Sequence, residues 1–160
     1  DLRYQTLPEK GVPTNVTQAE ALEWSAILRS CSAWDAYKSI HSAEVHPVLV
    51  AEFLLLNEDF PRSARFCVKE LNLSLRRISG VPSGRFSNDA EKLAGRLEAE
   101  LQFSTVDDIF AQGLHQYLDQ FQLKLNAIGD ALFNAYFFQS IASLDEQMLV
   151  QQEEQQQQSK

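Results

Sequence analysis

The sequence predicts an all-α protein, an antiparallel helical bundle of about five to six helices that ends on a long C-terminal one. Three observations carry this. Glycine and proline are scarce, six and five in 160 residues, so long stretches contain no helix breaker. Apolar residues recur at spacings of three and four along most of the chain. A small polar residue followed three positions later by an acid occurs repeatedly, which is the spacing with which a helix caps its own first turn.

The first 13 residues read as an extended lead ending in Gly11-Val12-Pro13. Thr17-Gln-Ala-Glu20 is a capping box, and it opens a first helix over 18–32 with the stripe Trp24, Ile27, Cys31 and Trp34. A further helical stretch carries Tyr37 and Ile40, either continuous with the first helix or after a kink. The second helix starts at Pro47, a residue suited to the first helical position, with His46 just ahead of it, and runs to 56. Its nine residues VLVAEFLLL have the composition of a buried strand, but four leucines and an alanine between helical neighbours favour helix.

NEDF then supplies a stop and a start. Asp59 is expected to cap a third helix over 61–78, with Pro61 in its first turn. Ala64, Cys67, Leu71, Leu75 and Ile78 form its apolar stripe, and Arg62, Arg65, Lys69 and Arg76 a basic lane. Residues 80–87 are a loop. Asn88-Asp-Ala-Glu91 is a second capping box, opening a helix to 102, and Ser104-Thr-Val-Asp107 a third. The last helix is expected over 105–138, with one unbroken stripe from Val106 through Phe110, Gly113, Tyr117, Phe121, Leu125, Ile128 and Leu132 to Ala135. Residues 1–140 read as one domain and the Gln-rich stretch 141–160 as a frayed or disordered tail.

Composition narrows the function classes. A net charge of −8 opposes binding to a polyanion, and the aromatic residues lie on apolar stripes, so no nucleic-acid partner is expected. No apolar run approaches the roughly 20 residues that span a bilayer, so no membrane partner is expected and the reading is cytoplasmic. The opening DLRYQTLPEK has neither a signal-peptide core nor an initiating methionine, as in a fragment or a processed product. Without a glycine-rich phosphate loop, a CxxC or an HExxH pattern, the expectation is no cofactor and no metal site. Cys31 and Cys67 could form a disulfide, but two buried thiols in a reducing compartment are the expectation, and no residue is assigned a catalytic role.

Binding candidates come from the arginines. Arg29 shares a lane with Leu22, Ala26 and Ala33, and a cation held among apolar residues needs a partner, for which Glu52, the lone acid of VLVAEFLLL, is the candidate. Arg62 and Arg65 stand at a helix start, where free amides favour anions. They serve either as clamps to a neighbouring helix or as an anion site.

The stretches WSAILRSCSAWDAY (24–37) and VLVAEFLLLNEDFPRSARFCVKEL (48–71) resemble the alpha-E family, an all-helical domain named for a Glu-Arg motif. Trp24, Leu28-Arg29, Tyr37, the run from Phe53 to Leu56, and Pro61-Arg62-Ser63 stand where the family pattern has the same residues. Asn57 stands where the family commonly has Asp. IGDALFNAYF (128–137) is similar to the family's ending. The resemblance is to the C-terminal half of the domain, and it leaves the half bearing the Glu-Arg signature outside the chain.

Family members occur beside, or fused to, unusual ATP-grasp and transglutaminase-like proteins in bacteria. The resemblance therefore implies such a protein as partner, in a pathway that makes or breaks amide bonds. The leading reading is a non-catalytic helical interaction module. It has two rivals: an enzyme or ligand-binding domain that holds an anionic peptide-like or phosphorylated substrate through Arg29, Arg62, Arg65 and Tyr37, and a homo-oligomer joined by an apolar face. Trp24, Glu52, Asp59 and Pro61 are assigned structural roles.

Overall fold

The computed structural model describes residues 17–41, 45–82 and 84–138. The expected lead over 1–13 and tail over 141–160 lie outside the described residues. Seven helices follow in order: α1 (Gln18–Ser30), α2 (Trp34–His41), α3 (Pro47–Leu56), α4 (Ala64–Ser79), α5 (Asp89–Phe103), α6 (Val106–Gln112) and α7 (Leu114–Leu132). A π-helical turn, Phe133–Phe138, closes the series. No strand occurs among the described residues, and the architecture is an antiparallel helical bundle.

Local chemistry sets the helix ends. At the start of α1, Thr17 accepts the Glu20 amide at 3.3 Å and its own amide donates to the Glu20 carboxylate at 2.9 Å, so the capping box is complete. These bonds, first the one from the Thr17 amide, hold the Glu20 carboxyl below its ordinary pKa. α1 stops at Cys31 through a pair of backbone bonds: the Ser32 amide reaches the Arg29 carbonyl and the Ala33 amide the Leu28 carbonyl. That closure requires a left-handed residue, and Ser32 takes it at φ 51°, a position usually given to glycine. The first helix therefore ends by a tight turn, and α2 is a separate helix.

His46 caps α3 by accepting the Val48 amide. α3 is buried almost all round, with Val48, Val50, Ala51, Phe53, Leu55 and Leu56 inside and Glu52 exposed, which explains why its composition resembles that of a strand. The helix lies between two apolar clusters. Val50 and Phe53 pack with Trp24, Leu28, Ala33 and Tyr37 of the first two helices. Leu55 and Leu56 join Val68, Leu75, Leu97, Leu101 and Ile109 on the other side.

Several expected registers shift. α4 begins at Ala64, three residues later than expected, and its buried face is Val68, Asn72 and Leu75 rather than the stripe through Cys67 and Ile78. Cys67 is exposed one position from Val68, Ile78 is 67% exposed, and Cys31 is exposed at the end of α1, so the two thiols are free and on the surface. At α5 Asn88 accepts the Glu91 amide as expected, but the Glu91 carboxylate reaches back to the amide and hydroxyl of Ser87, one residue earlier than a capping box would have it.

The third cap is Thr105, paired with Asp108, again one residue from the expected pair. The continuous last helix is broken at Gly113, whose φ of 99° ends α6 and lets α7 leave in a new direction. Only Tyr117 and Ile128 of α7 are fully inside, while Leu118, Leu123 and Leu125 remain exposed.

Candidate functional site

The segment between α3 and α4 is a turn held by side chains. Asn57 Oδ1 accepts the amides of Asp59 at 2.9 Å and Phe60 at 2.7 Å. Ser63, fully buried, caps α4 by accepting the Phe66 amide at 3.1 Å. Asp59 is therefore not the cap and Pro61 is not in the first helical turn; both are exposed turn residues. The sequence signal for the true cap is Ser63 followed by an uninterrupted helical run, which the more familiar pairing of acid and proline masked. The work of Asn57 is to accept two amides, which the Asp of the family pattern would also do.

This turn determines where the arginines go. Arg62 reaches α1 and donates to the carbonyl of Cys31, its C-cap, at 3.2 Å, placing a cation at the negative end of that helix. Arg65 is mostly covered and pairs with Glu58 at 2.5 Å. Each arginine is thus engaged within the fold, and the two point to different neighbours.

Arg29 is exposed, and no ion pair joins it to Glu52, which is exposed on the far simpler ground of being the one solvent-facing position of α3. The expected buried pair is corrected for a geometric reason. Within α1 the lane of Arg29 is solvated, with Leu22 68% exposed and Ala26 exposed, while the core lane runs through Trp24 and Leu28; Ala33, the buried member of the expected lane, lies beyond the end of the helix. Arg29 instead lies over the Trp34 ring at 4.7 Å, brought there by the turn at Ser32. Lys38, one helical turn further along α2, reaches the same ring at 5.5 Å. Neither cation has a carboxylate partner among the described residues. Cys31, the residue held by Arg62, adjoins this group, so Arg29, Lys38 and Arg62 gather cationic charge at the α1–α2 junction of an acidic chain.

Tyr37 lies elsewhere. It is fully buried, edge-on to Phe53 at 5.5 Å and near His41 at 4.7 Å, within the same core as Trp24. The structure brings Arg29 and Arg62 to one end of α1 and leaves Tyr37 in the interior and Arg65 on another face. Exposed Lys38 was missed, and Trp34, half-buried against the same core, was taken for a residue of the first helix because it continues that helix's stripe when the turn at Ser32 is not seen. Among the described residues no group of three or more His, Cys, Asp and Glu side chains is placed to hold a metal.

A second feature is a shallow cleft between α4 and α5 with a volume of about 130 Å³, lined by Glu58, Arg65, Phe66, Lys69, Glu98 and Gln102. Buried Asn72 donates to Glu98 at its edge.

Among known proteins, a family model described as Alpha-E, a predicted alpha-helical domain with a conserved ER motif, matches residues 1–137. No curated protein and no solved structure matches.

Proposed function

The chain belongs to the Alpha-E family, and from that premise we propose that it is a non-catalytic helical interaction module, accessory to an ATP-grasp-linked pathway of amide-bond formation or peptide modification. The observation that carries this reading is the cationic group around Trp34. Arg29 and Lys38 share one aromatic ring, have no acidic partner among the described residues, and stand out on a chain of net charge −8. An indole flanked by two unneutralised cations is suited to an acidic segment of another protein, offering apolar area and charge together. The alternative, an anionic substrate gripped by a convergent arginine pocket, loses support because Arg62 serves the Cys31 carbonyl and Arg65 serves Glu58.

The partner we assign is an ATP-grasp-like protein. It would meet this face in the cytoplasm, a placement compatible with the finding that no helix among the described residues is long and apolar enough to cross a membrane. The test is calorimetric titration of the chain with the ATP-grasp-like protein of the same organism, and separately with a transglutaminase-like one. Binding is expected to weaken with salt, and the Arg29→Ala/Lys38→Ala pair to cost about tenfold or more in affinity. Binding that ignores both salt and the substitutions would reject this face, and no binding by the ATP-grasp-like protein would reject the assigned partner.

A further inference from the structure

We propose that the cleft between α4 and α5 binds a small zwitterion of the amino-acid class, one carrying a carboxylate and an ammonium group together. The two helices face each other with unlike chemistry. Arg65 and Lys69, one turn apart, lie on the α4 wall, and Glu98 and Gln102, also one turn apart, lie on the α5 wall. Arg65 is neutralised by Glu58, which leaves Lys69 on the α4 wall and Glu98 on the α5 wall as the opposite charges that do not pair, and this favours a neutral dipolar guest over a simple anion or cation.

The distribution of partners supports this. Arg65 is occupied by Glu58. Glu98 has one oxygen fixed by the amide of Asn72, which is 96% covered and holds the carboxylate in place, and its other oxygen has no partner among the described residues. Lys69 lines the same cleft, yet it forms no ion pair with Glu98 or with any other described acid. A lysine and a glutamate on opposite walls that do not close on each other leave a gap whose two sides call for opposite charges. Lys69 and the Gln102 amide are donors for a guest carboxylate, and the second oxygen of Glu98 accepts from a guest ammonium. Phe66 supplies an apolar surface for the carbon atoms between, and a volume of about 130 Å³ suits a molecule of this size rather than a peptide or a nucleotide.

This site is independent of the Trp34 face, so its failure would leave the interaction reading untouched. Glycine, acetate and methylammonium are the probes, added to the isotopically labelled chain while backbone amide shifts are followed by NMR. Glycine is expected to move the amides of Phe66, Lys69 and Gln102 saturably, at least about tenfold more tightly than acetate or methylammonium, since each supplies only one of its two charged contacts. Lys69→Met and Glu98→Gln should each weaken glycine about tenfold with the thermal midpoint within a few degrees of the parent. Equal responses to glycine and acetate would show a simple anion site and overturn the proposal. So would shifts that stay linear in glycine, or binding unchanged in Lys69→Met.

Discussion

The hydroxyl of Ser63 donates to the carbonyl of Asn57 at 2.5 Å while accepting the amide of Phe66, so one buried side chain ties the end of α3 to the start of α4. Asn57 in turn holds the two amides that follow it. Removing the hydroxyl strands both a carbonyl and a helix-start amide. Ser63→Ala is expected to cost about 1–3 kcal/mol, against about 0.5 kcal/mol or less for Asp59→Ala. Urea unfolding of the two variants measures the difference, and equal losses would return the cap to Asp59.

Ser32 occupies a left-handed position at φ 51°, where a side chain is strained and glycine is not. Ser32→Gly is expected to raise stability by about 0.5–1 kcal/mol, the relief of strain exceeding the added freedom of the unfolded chain. A fall in the urea midpoint of this variant would mean that the serine earns its place by a contact of its own.

The arginines separate by what they touch. Arg29→Ala removes only a stack on Trp34 and is expected to cost about 0.5–1 kcal/mol, well short of the roughly 3–5 kcal/mol that a broken buried pair with Glu52 would have cost. Arg62→Ala frees the Cys31 carbonyl, and the Arg62→Ala/Arg65→Ala pair is expected to lower the melting temperature by several degrees without any ligand present. A double variant that melts with the parent would remove the clamp.

Glu91 is fully buried at the foot of the loop before α5. Burial pushes its pKa up, but the hydroxyl and amide of Ser87, the hydroxyl of Ser79 and the charge of Arg76 together outweigh it and hold the carboxyl below its ordinary value of 4.5. Because the folded pKa is the lower one, the unfolded chain takes up the proton first. The stabilisation is complete above pH 4.5 and is lost as the pH falls through the folded value. Thermal melts from neutral pH downward should therefore show a steeper acid loss in the parent than in Glu91→Gln, and parallel curves would contradict this.

Most of the fold was legible because helix starts advertise themselves. Thr17, His46-Pro47 and Asn88 fall where the sequence places them, since a cap and its partner lie within one turn and need no tertiary information. Helix ends were less legible. The break after Ser30 depends on a serine doing a glycine's work, and the break at Gly113 fell on a residue that also fits the apolar stripe. The candidate site was harder still. Arg29 was read against Leu22 and Ala26 as though that lane were buried, but two apolar neighbours on a helix do not say which side meets the core when the helix packs on only a few others. The partner of Arg62, the carbonyl of Cys31, lies 31 residues away at the end of another helix, beyond the reach of spacing rules.

α3 contributes Val50 and Phe53 to one apolar cluster and Leu55 and Leu56 to the other, so the two cores share a single wall. Neither can be detached with its lining intact. A chain severed after α3 would leave α4 to α7 without the leucines that close their interior, and one severed before it would leave α1 and α2 with Trp24, Leu28 and Tyr37 facing water. The consequence is mechanical indivisibility: trimming from either side to the middle strips one core of its wall, so a shortened chain is expected to lose its cooperative unfolding rather than keep half of it.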